Sequence, residues 1–173
     1  MTSDLEQCAI RFATDRHRGQ VRKYTGEPYI THPLLVAELV RLVPHTDEMI
    51  AAALLHDVIE DTTAESWIIH FIFGARVGEY VDWLTDVSTA GDGSRAERKR
   101  LDLEHIAKAP PEAKTIKLAD LIHNSKNILS LDPKFAAAYL AEKAMLLEVL
   151  REGDQSLWAC AKEIVTAGLE TSQ

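Results

Sequence analysis

Apolar residues recur along this chain at intervals of three and four, and nowhere alternate convincingly with polar ones over more than a few positions. That rhythm predicts helices throughout and no sheet. Ser3 with Glu6 reads as a capping box, and Leu5, Cys8, Ala9, Phe12 and Ala13 extend a first helix from about Asp4 to His17, ending near Gly19. From Gln20 to Thr31 the pattern lapses, and Gly26 and Pro28 between Tyr24 and Tyr29 predict a loop or a minimal hairpin. The run THPLLVAELVRLV restores it as a short buried helix, with Thr31 or His32 as the expected cap, Pro33 in the first turn and Pro44 as the stop.

Thr46 caps the next helix, where Asp47 and Glu48 oppose the macrodipole, and this helix carries AAALLHDVIEDT. A shorter helix is expected from Thr63 to Phe73. Gly74 breaks it, and Ala75 to Leu84 resumes with Val77, Val81 and Leu84 on one side. The segment VSTAGDGS predicts a mobile loop. Ser94 with Glu97 opens SRAERKRLDLEHIAKA, whose only large apolar residues, Leu101, Leu103 and Ile106, mark a surface element. Pro110 and Pro111 start a helix with Ile116, Leu118, Ala119 and Ile122 on its apolar side and Asp120, His123 and Asn124 set into it. Asp132-Pro133 opens a long helix with Phe135, Ala138, Tyr139, Met145, Leu146 and Val149 available for packing, and a last one runs from about Gln155 to Leu169. The fold class is all-α: one helical bundle, a single domain over residues 1–173, with no internal repeat and no linker.

Composition narrows the function without choosing it. At 46% hydrophobic and 27% charged, the 173 residues suit one globular domain. The longest apolar runs fall far short of a bilayer span, and the opening MTSDLEQCAIRFA lacks the basic-then-apolar order of an export signal, so a cytoplasmic protein with no membrane partner is expected. Cys8 and Cys160 have no ligand-like spacing and are expected as reduced, packed thiols. A net charge of −8 argues against a nucleic-acid surface but leaves room for a small anionic ligand at a local basic patch. Arg16, Arg18, Arg22 and Lys23 form such a patch, although a solvated helix end would look the same.

The chemistry concentrates in residues 51 to 62. If the helix is continuous, His56 lies over Glu60 and Asp57 over Asp61, crowding three carboxylates and an imidazole that repel or strain one another unless a cation sits among them. A helix end with an acidic tip and one satisfied core histidine is the alternative. Further ligands are on offer at His32, before Pro33, and at Asp120, set between apolar residues in KLADLI, where Lys117 or His123 could equally neutralise it. Two His and two Asp make a mixed donor set that leans towards Mn2+.

Three blocks in order, RKYTGEPYITHP, AAALLHDVIEDT and KLADLIHNSKNI, resemble the hydrolase domain of the RelA/SpoT-type alarmone enzymes, and among them the small stand-alone hydrolases of the HD superfamily, from roughly Leu5 to Leu150. The resemblance implies an all-α HD bundle and Mn2+-dependent removal of pyrophosphate from the 3′ position of ppGpp or pppGpp. It further implies metal ligation by His32, His56, Asp57 and Asp120, water handling by Glu60 and Asp61, and nucleotide contacts from Arg22, Lys23 and Asn124. It gives His123 no role. One departure stands out: the family usually carries a lysine within two residues of a Thr-Asp pair, whereas here Thr85-Asp86 is followed by Val87-Ser88, and the next cations are Arg95, Arg98 and Lys99. Two other readings remain. The same site could act on another phosphorylated nucleotide such as NADPH or a nucleoside monophosphate, or the protein could be a non-catalytic nucleotide sensor.

Overall fold

The computed structural model describes residues 2–131 and 133–171. In order, its helices are α1 (Asp4–Arg16), α2 (Thr31–Arg41), α3 (Asp47–Leu55), α4 (Val58–Asp61), α5 (Ser66–Phe73), α6 (Ala75–Leu84), α7 (Arg95–Ile106), α8 (Pro111–Leu131), α9 (Pro133–Val149) and α10 (Gln155–Thr171). Among the described residues the only extended pairing is a bridge between Val21 and Pro28, closed by Arg22 N–H to the Glu27 carbonyl at 2.8 Å and Tyr29 N–H to the Gln20 carbonyl at 3.0 Å. This is the minimal hairpin expected from Gly26 and Pro28. Asp132, expected to open α9, and the side chain of Phe135 lie outside the described residues.

The centre of the bundle is α3, whose residues Met49 to Leu55 are all buried. A helix that is apolar on every side is stable only when surrounded, and α3 packs against α1, α2, α6 and α8. Fully burying side chains such as Ile50, Leu54 and Leu55 contributes about 1.5–3 kcal/mol each. With α2 and α8 also packed on each other, three helices meet where the candidate ligands lie.

Several local expectations need correction. The AAALLHDVIEDT helix is not continuous: α3 ends at Leu55, His56 and Asp57 form a turn, and only α4 resumes. The Asp57 carbonyl accepts from the Asp61 N–H at 2.9 Å as a helix would have it, but the Glu60 carboxylate turns away to the Asp86 N–H, so Glu60 does not stand over His56. The cap of α2 is Ile30, with no side-chain bond, so neither Thr31 nor His32 caps it and His32 sits inside the first turn. That helix also stops at Arg41, before Pro44. Ser3 does accept from the Glu6 N–H at 3.3 Å, but Glu6 pairs with Arg41 instead of closing the capping box. The box at Ser94 and Glu97 is complete. Helix α7 is more than a surface element, because its buried Asp102 accepts from both the N–H (2.9 Å) and the hydroxyl (3.0 Å) of Ser88 and so ties down the start of the loop read as mobile.

Candidate metal centre

His56 follows the last residue of α3, and its ring is fixed from behind: Nδ1 lies 2.7 Å from the Ala53 carbonyl, which can only accept. A proton therefore sits on Nδ1, and in the neutral ring Nε2 presents a lone pair to the interior; burial disfavours a second proton, yet Asp57 and Asp120 outweigh it and, unless a cation joins them, hold the His56 pKa well above the ordinary imidazole value. His32 comes from the first turn of α2, with its Nδ1 2.7 Å from Nδ1 of His123 on α8. Burial, and then the neighbouring His32 and Arg22, press the His123 pKa down to about 4. A neutral His123 can accept from His32, so that Nε2 of His32 is also left with a lone pair. Both ligand histidines are 1% exposed, and their Nε2 atoms are 3.2 Å apart.

Two lone pairs facing each other at that distance need a proton or a cation between them. The carboxylates supply the rest of the cage. His32 Nε2 is 3.3 Å from Asp57 Oδ2 and 3.3 Å from Asp120 Oδ1, and His56 Nε2 is 3.2 Å from Asp57 Oδ1 and 3.7 Å from Asp120 Oδ1. Among the described residues His32, His56 and Asp57 form a group able to hold a metal ion, with Asp120 beside it. Burial opposes charge on Asp57 and Asp120, yet both are held well below the usual carboxylate range, Asp57 by His56 and His32 and Asp120 by Lys117 and the same two histidines. His32, His56 and Asp57 fit a divalent ion in donor type and mutual distance, and Asp120 Oδ1 stands beside both histidines as a further oxygen donor.

Around this cage the neighbours are ordered. Asp120 Oδ1 accepts from Asn124 Nδ2 at 2.6 Å, and Asn124 Oδ1 accepts from Arg22 at 2.7 Å, so two expected nucleotide contacts lead directly to a ligand. Asp120 Oδ2 lies 3.3 Å from the Lys117 ammonium. Burial alone would depress Lys117, but Asp120, Glu60, Asp86 and Asp57 together hold it above the usual lysine range. The Tyr29 hydroxyl donates to Asp57 Oδ2 at 2.7 Å; burial first, and the negative charges of Asp57 and Asp61 next, raise its pKa far beyond the ordinary phenol value. Glu60 sits at a cavity mouth, where its Oε1 accepts from the Asp86 N–H at 2.7 Å, and burial outweighs Lys117 to raise its pKa.

The structure thus brings His32, His56, Asp57, Asp120 and Asn124 together, with Arg22 joined to them through Asn124. Asp61 acts on Tyr29 through its charge, and Glu60 turns to Asp86 instead of standing over His56. Lys23 lines a separate cavity of about 280 Å3 with Arg22, Tyr24, Tyr29 and Asn124. The rest of the expected basic patch disperses: Arg18 pairs with Asp15 at 2.5 Å, and Arg16 stacks over Phe12. Sequence reasoning missed Tyr29 and His123 as partners of ligands. For Tyr29 the signal was available, since it stands three residues before His32 in the same block.

The chain has relatives among known proteins. A family model described as HD domain matches residues 9–150. The human guanosine-3′,5′-bis(diphosphate) 3′-pyrophosphohydrolase MESH1 is 39% identical over 132 residues, covering 73% of this chain and 70% of that protein. The bifunctional (p)ppGpp synthase/hydrolase SpoT of Escherichia coli is 37% identical over 128 residues, 72% of this chain but only 18% of the longer enzyme. A solved structure described as a metazoan ortholog of SpoT that hydrolyzes ppGpp matches with a TM-score of 0.86 and 30% identity over 98% of both chains.

Proposed function

We propose, from the premise that this chain belongs to the HD-domain family and is related to the hydrolases MESH1 and SpoT, that it removes pyrophosphate from the 3′ position of ppGpp and pppGpp. The observation that carries this reading is the inward convergence of His32, His56, Asp57 and Asp120, each held by a defined partner, next to a cavity lined by Arg22, Lys23 and Asn124.

The mixed imidazole and carboxylate set favours Mn2+, which when bound would polarise the phosphoryl group and acidify a water. In the reaction the water oxygen bonds to the phosphorus attached to the 3′ oxygen, the bond to that oxygen breaks, and the 3′ oxygen takes a proton to become a hydroxyl. GDP or GTP and pyrophosphate result. Glu60, its pKa raised by burial, is suited to accept the proton of the water and to return one to the leaving 3′ oxygen. Asp61, whose charge acts on Tyr29 beside the cluster, orients that water. Arg22 stacks its planar guanidinium on the base, Lys23 meets phosphate as a compact charge, and Asn124 offers a neutral hydrogen bond to the ribose. No described helix is long and apolar enough to cross a membrane, and the cytoplasm is the proposed compartment.

Purified protein with Mn2+ and ppGpp should release GDP and pyrophosphate, and His56→Ala or Asp57→Ala should abolish the release. Faster turnover of NADPH or a nucleoside monophosphate than of ppGpp would replace the substrate. Tight retention of ppGpp without any turnover would make the protein a sensor.

A further inference from the structure

A second cavity of about 630 Å3 adjoins the metal centre, and its wall holds more positive charge than its role as packing requires. It lies between α6, α7 and α9 and includes Glu60 and Lys117, the residues through which it meets the centre. Five cations line it, and four have carboxylate partners. Arg95 pairs with Glu142 at 3.0 Å, Lys99 with Asp86 at 2.8 Å and Asp102 at 3.4 Å, Arg100 with Glu104, and Lys117 with Asp120 at 3.3 Å. The fifth, Lys143 of α9, has no ion pair among the described residues, and its ammonium stands over the Tyr139 ring at 4.9 Å from the centroid. An ammonium drawn into protein without a carboxylate is costly unless an anion joins it.

Asp120 fixes where such an anion would come from. Its Oδ1 accepts from Asn124, which lines the smaller cavity with Arg22 and Lys23, and its Oδ2 pairs with Lys117, which lines the larger cavity with Lys143. Each cavity is therefore one residue away from Asp120, reached through a different carboxylate oxygen. Resting on the function proposed above, with the nucleoside in the Arg22 cavity, the group beyond the scissile bond must enter the other.

We propose that Lys143 binds the outer phosphate of the 3′-pyrophosphate, so that the larger cavity selects a pyrophosphate over a monophosphate at that position. Lys143 is free to act as a point charge on phosphate, whereas Lys99 and Arg95 are committed to acidic neighbours and shape the wall.

The test compares wild type, Lys143→Met and Lys143→Arg as full chains, with melting temperatures checking that each is folded. Lys143→Met should weaken competitive inhibition by inorganic pyrophosphate about tenfold and lower kcat/KM for ppGpp by a similar factor, the loss expected for one charge-assisted hydrogen bond. Inhibition by GDP should not change, and Lys143→Arg should restore most of the pyrophosphate affinity. Unchanged pyrophosphate inhibition in Lys143→Met overturns the assignment, as does weakened GDP inhibition, which would put the 5′ phosphates in this cavity. If wild type does not hydrolyse ppGpp, the proposed function fails by itself. Calorimetric titration with inorganic pyrophosphate still decides the site then: binding lost in Lys143→Met supports it, and equal binding overturns it.

Discussion

His123 is separated from the metal position by a whole imidazole ring, yet it decides which nitrogen of His32 carries the proton. Its Nδ1 is 2.7 Å from His32 Nδ1, and without it the His32 ring would lose both its orientation and the acceptor for its proton. His123→Leu should therefore weaken divalent-ion affinity about 10–100-fold, read by competition with a chelating dye, while the helical circular dichroism stays intact. Equal affinity in the variant would remove His123 from the centre. Glu60 gives a prediction of a different kind. Burial raises its pKa above the ordinary 4.5, so as pH falls the base is protonated earlier than a free glutamate and kcat/KM should decline through that raised value. Glu60→Gln should lose this acid limb along with about 10²–10⁴ of the rate. The same shift has a stability consequence of opposite sign. A carboxyl whose folded pKa is raised favours folding below its unfolded pKa, and that contribution is lost as pH rises through the folded value. At neutral pH the loss of this term in Glu60→Gln opposes the loss of attraction to Lys117, and a lower melting temperature in the variant would mean that Lys117 and the Asp86 N–H hold the carboxylate more than partial burial disfavours it. At this scale the ligand residue types were legible, because His56-Asp57 and Asp120 stand in apolar surroundings where unpaired charge is expensive. Their partners were not, since nothing in spacing alone shows that Tyr29 points at Asp57 or that two histidines separated by 91 positions share a hydrogen bond.

Among the helices, α7 owes its start to a complete capping box, with Ser94 accepting from the Glu97 N–H at 3.4 Å and Glu97 accepting from the Ser94 N–H at 2.7 Å. Ser94→Ala should cost about 1 kcal/mol, visible in a denaturant titration, and because α7 carries Arg95 and Lys99 it should also disturb the cavity beside Glu60. Gly153, between α9 and α10, is tighter still. A β-carbon there would lie 2.8 Å from Leu118 Cδ1 and 3.1 Å from the Lys114 carbonyl carbon, so Gly153→Ala should destabilise by about 1–3 kcal/mol through overpacking. An unchanged unfolding midpoint would mean that α8 can shift away. Most helix positions could be read from periodicity and punctuation because burial on one face imposes a period of 3.6 on the residues. What escaped was the break after Leu55. Every residue from Met49 to Leu55 is buried, so the pattern there is continuous and carries no phase from which a turn could be detected. That turn is what aims His56 and Asp57 at one point.

For the whole molecule, the decisive fact is that the converging imidazoles and carboxylates come from residues 32, 56, 57 and 120, on α2, at the turn after α3, and on α8. The unfolded chain separates these groups by long, flexible stretches and offers an ion no preformed site, so a divalent ion binds the native state far more tightly and shifts the folding equilibrium by mass action. At a free-ion concentration 100 times Kd this linkage amounts to about 2.7 kcal/mol, or roughly 5–10 °C in Tm for a domain of this size. Chelation should lower Tm by that amount, and restoring Mn2+ should recover it. The His56→Ala protein supplies the contrast, because it lacks a ligand and its Tm should be insensitive to the ion. A wild-type Tm indifferent to chelator would mean that the convergent histidines and carboxylates are held by a shared proton instead. In that state the pairing of His56 with Asp57 and Asp120 would itself stabilise the fold, and Asp120→Asn would be the more damaging substitution without metal than with it.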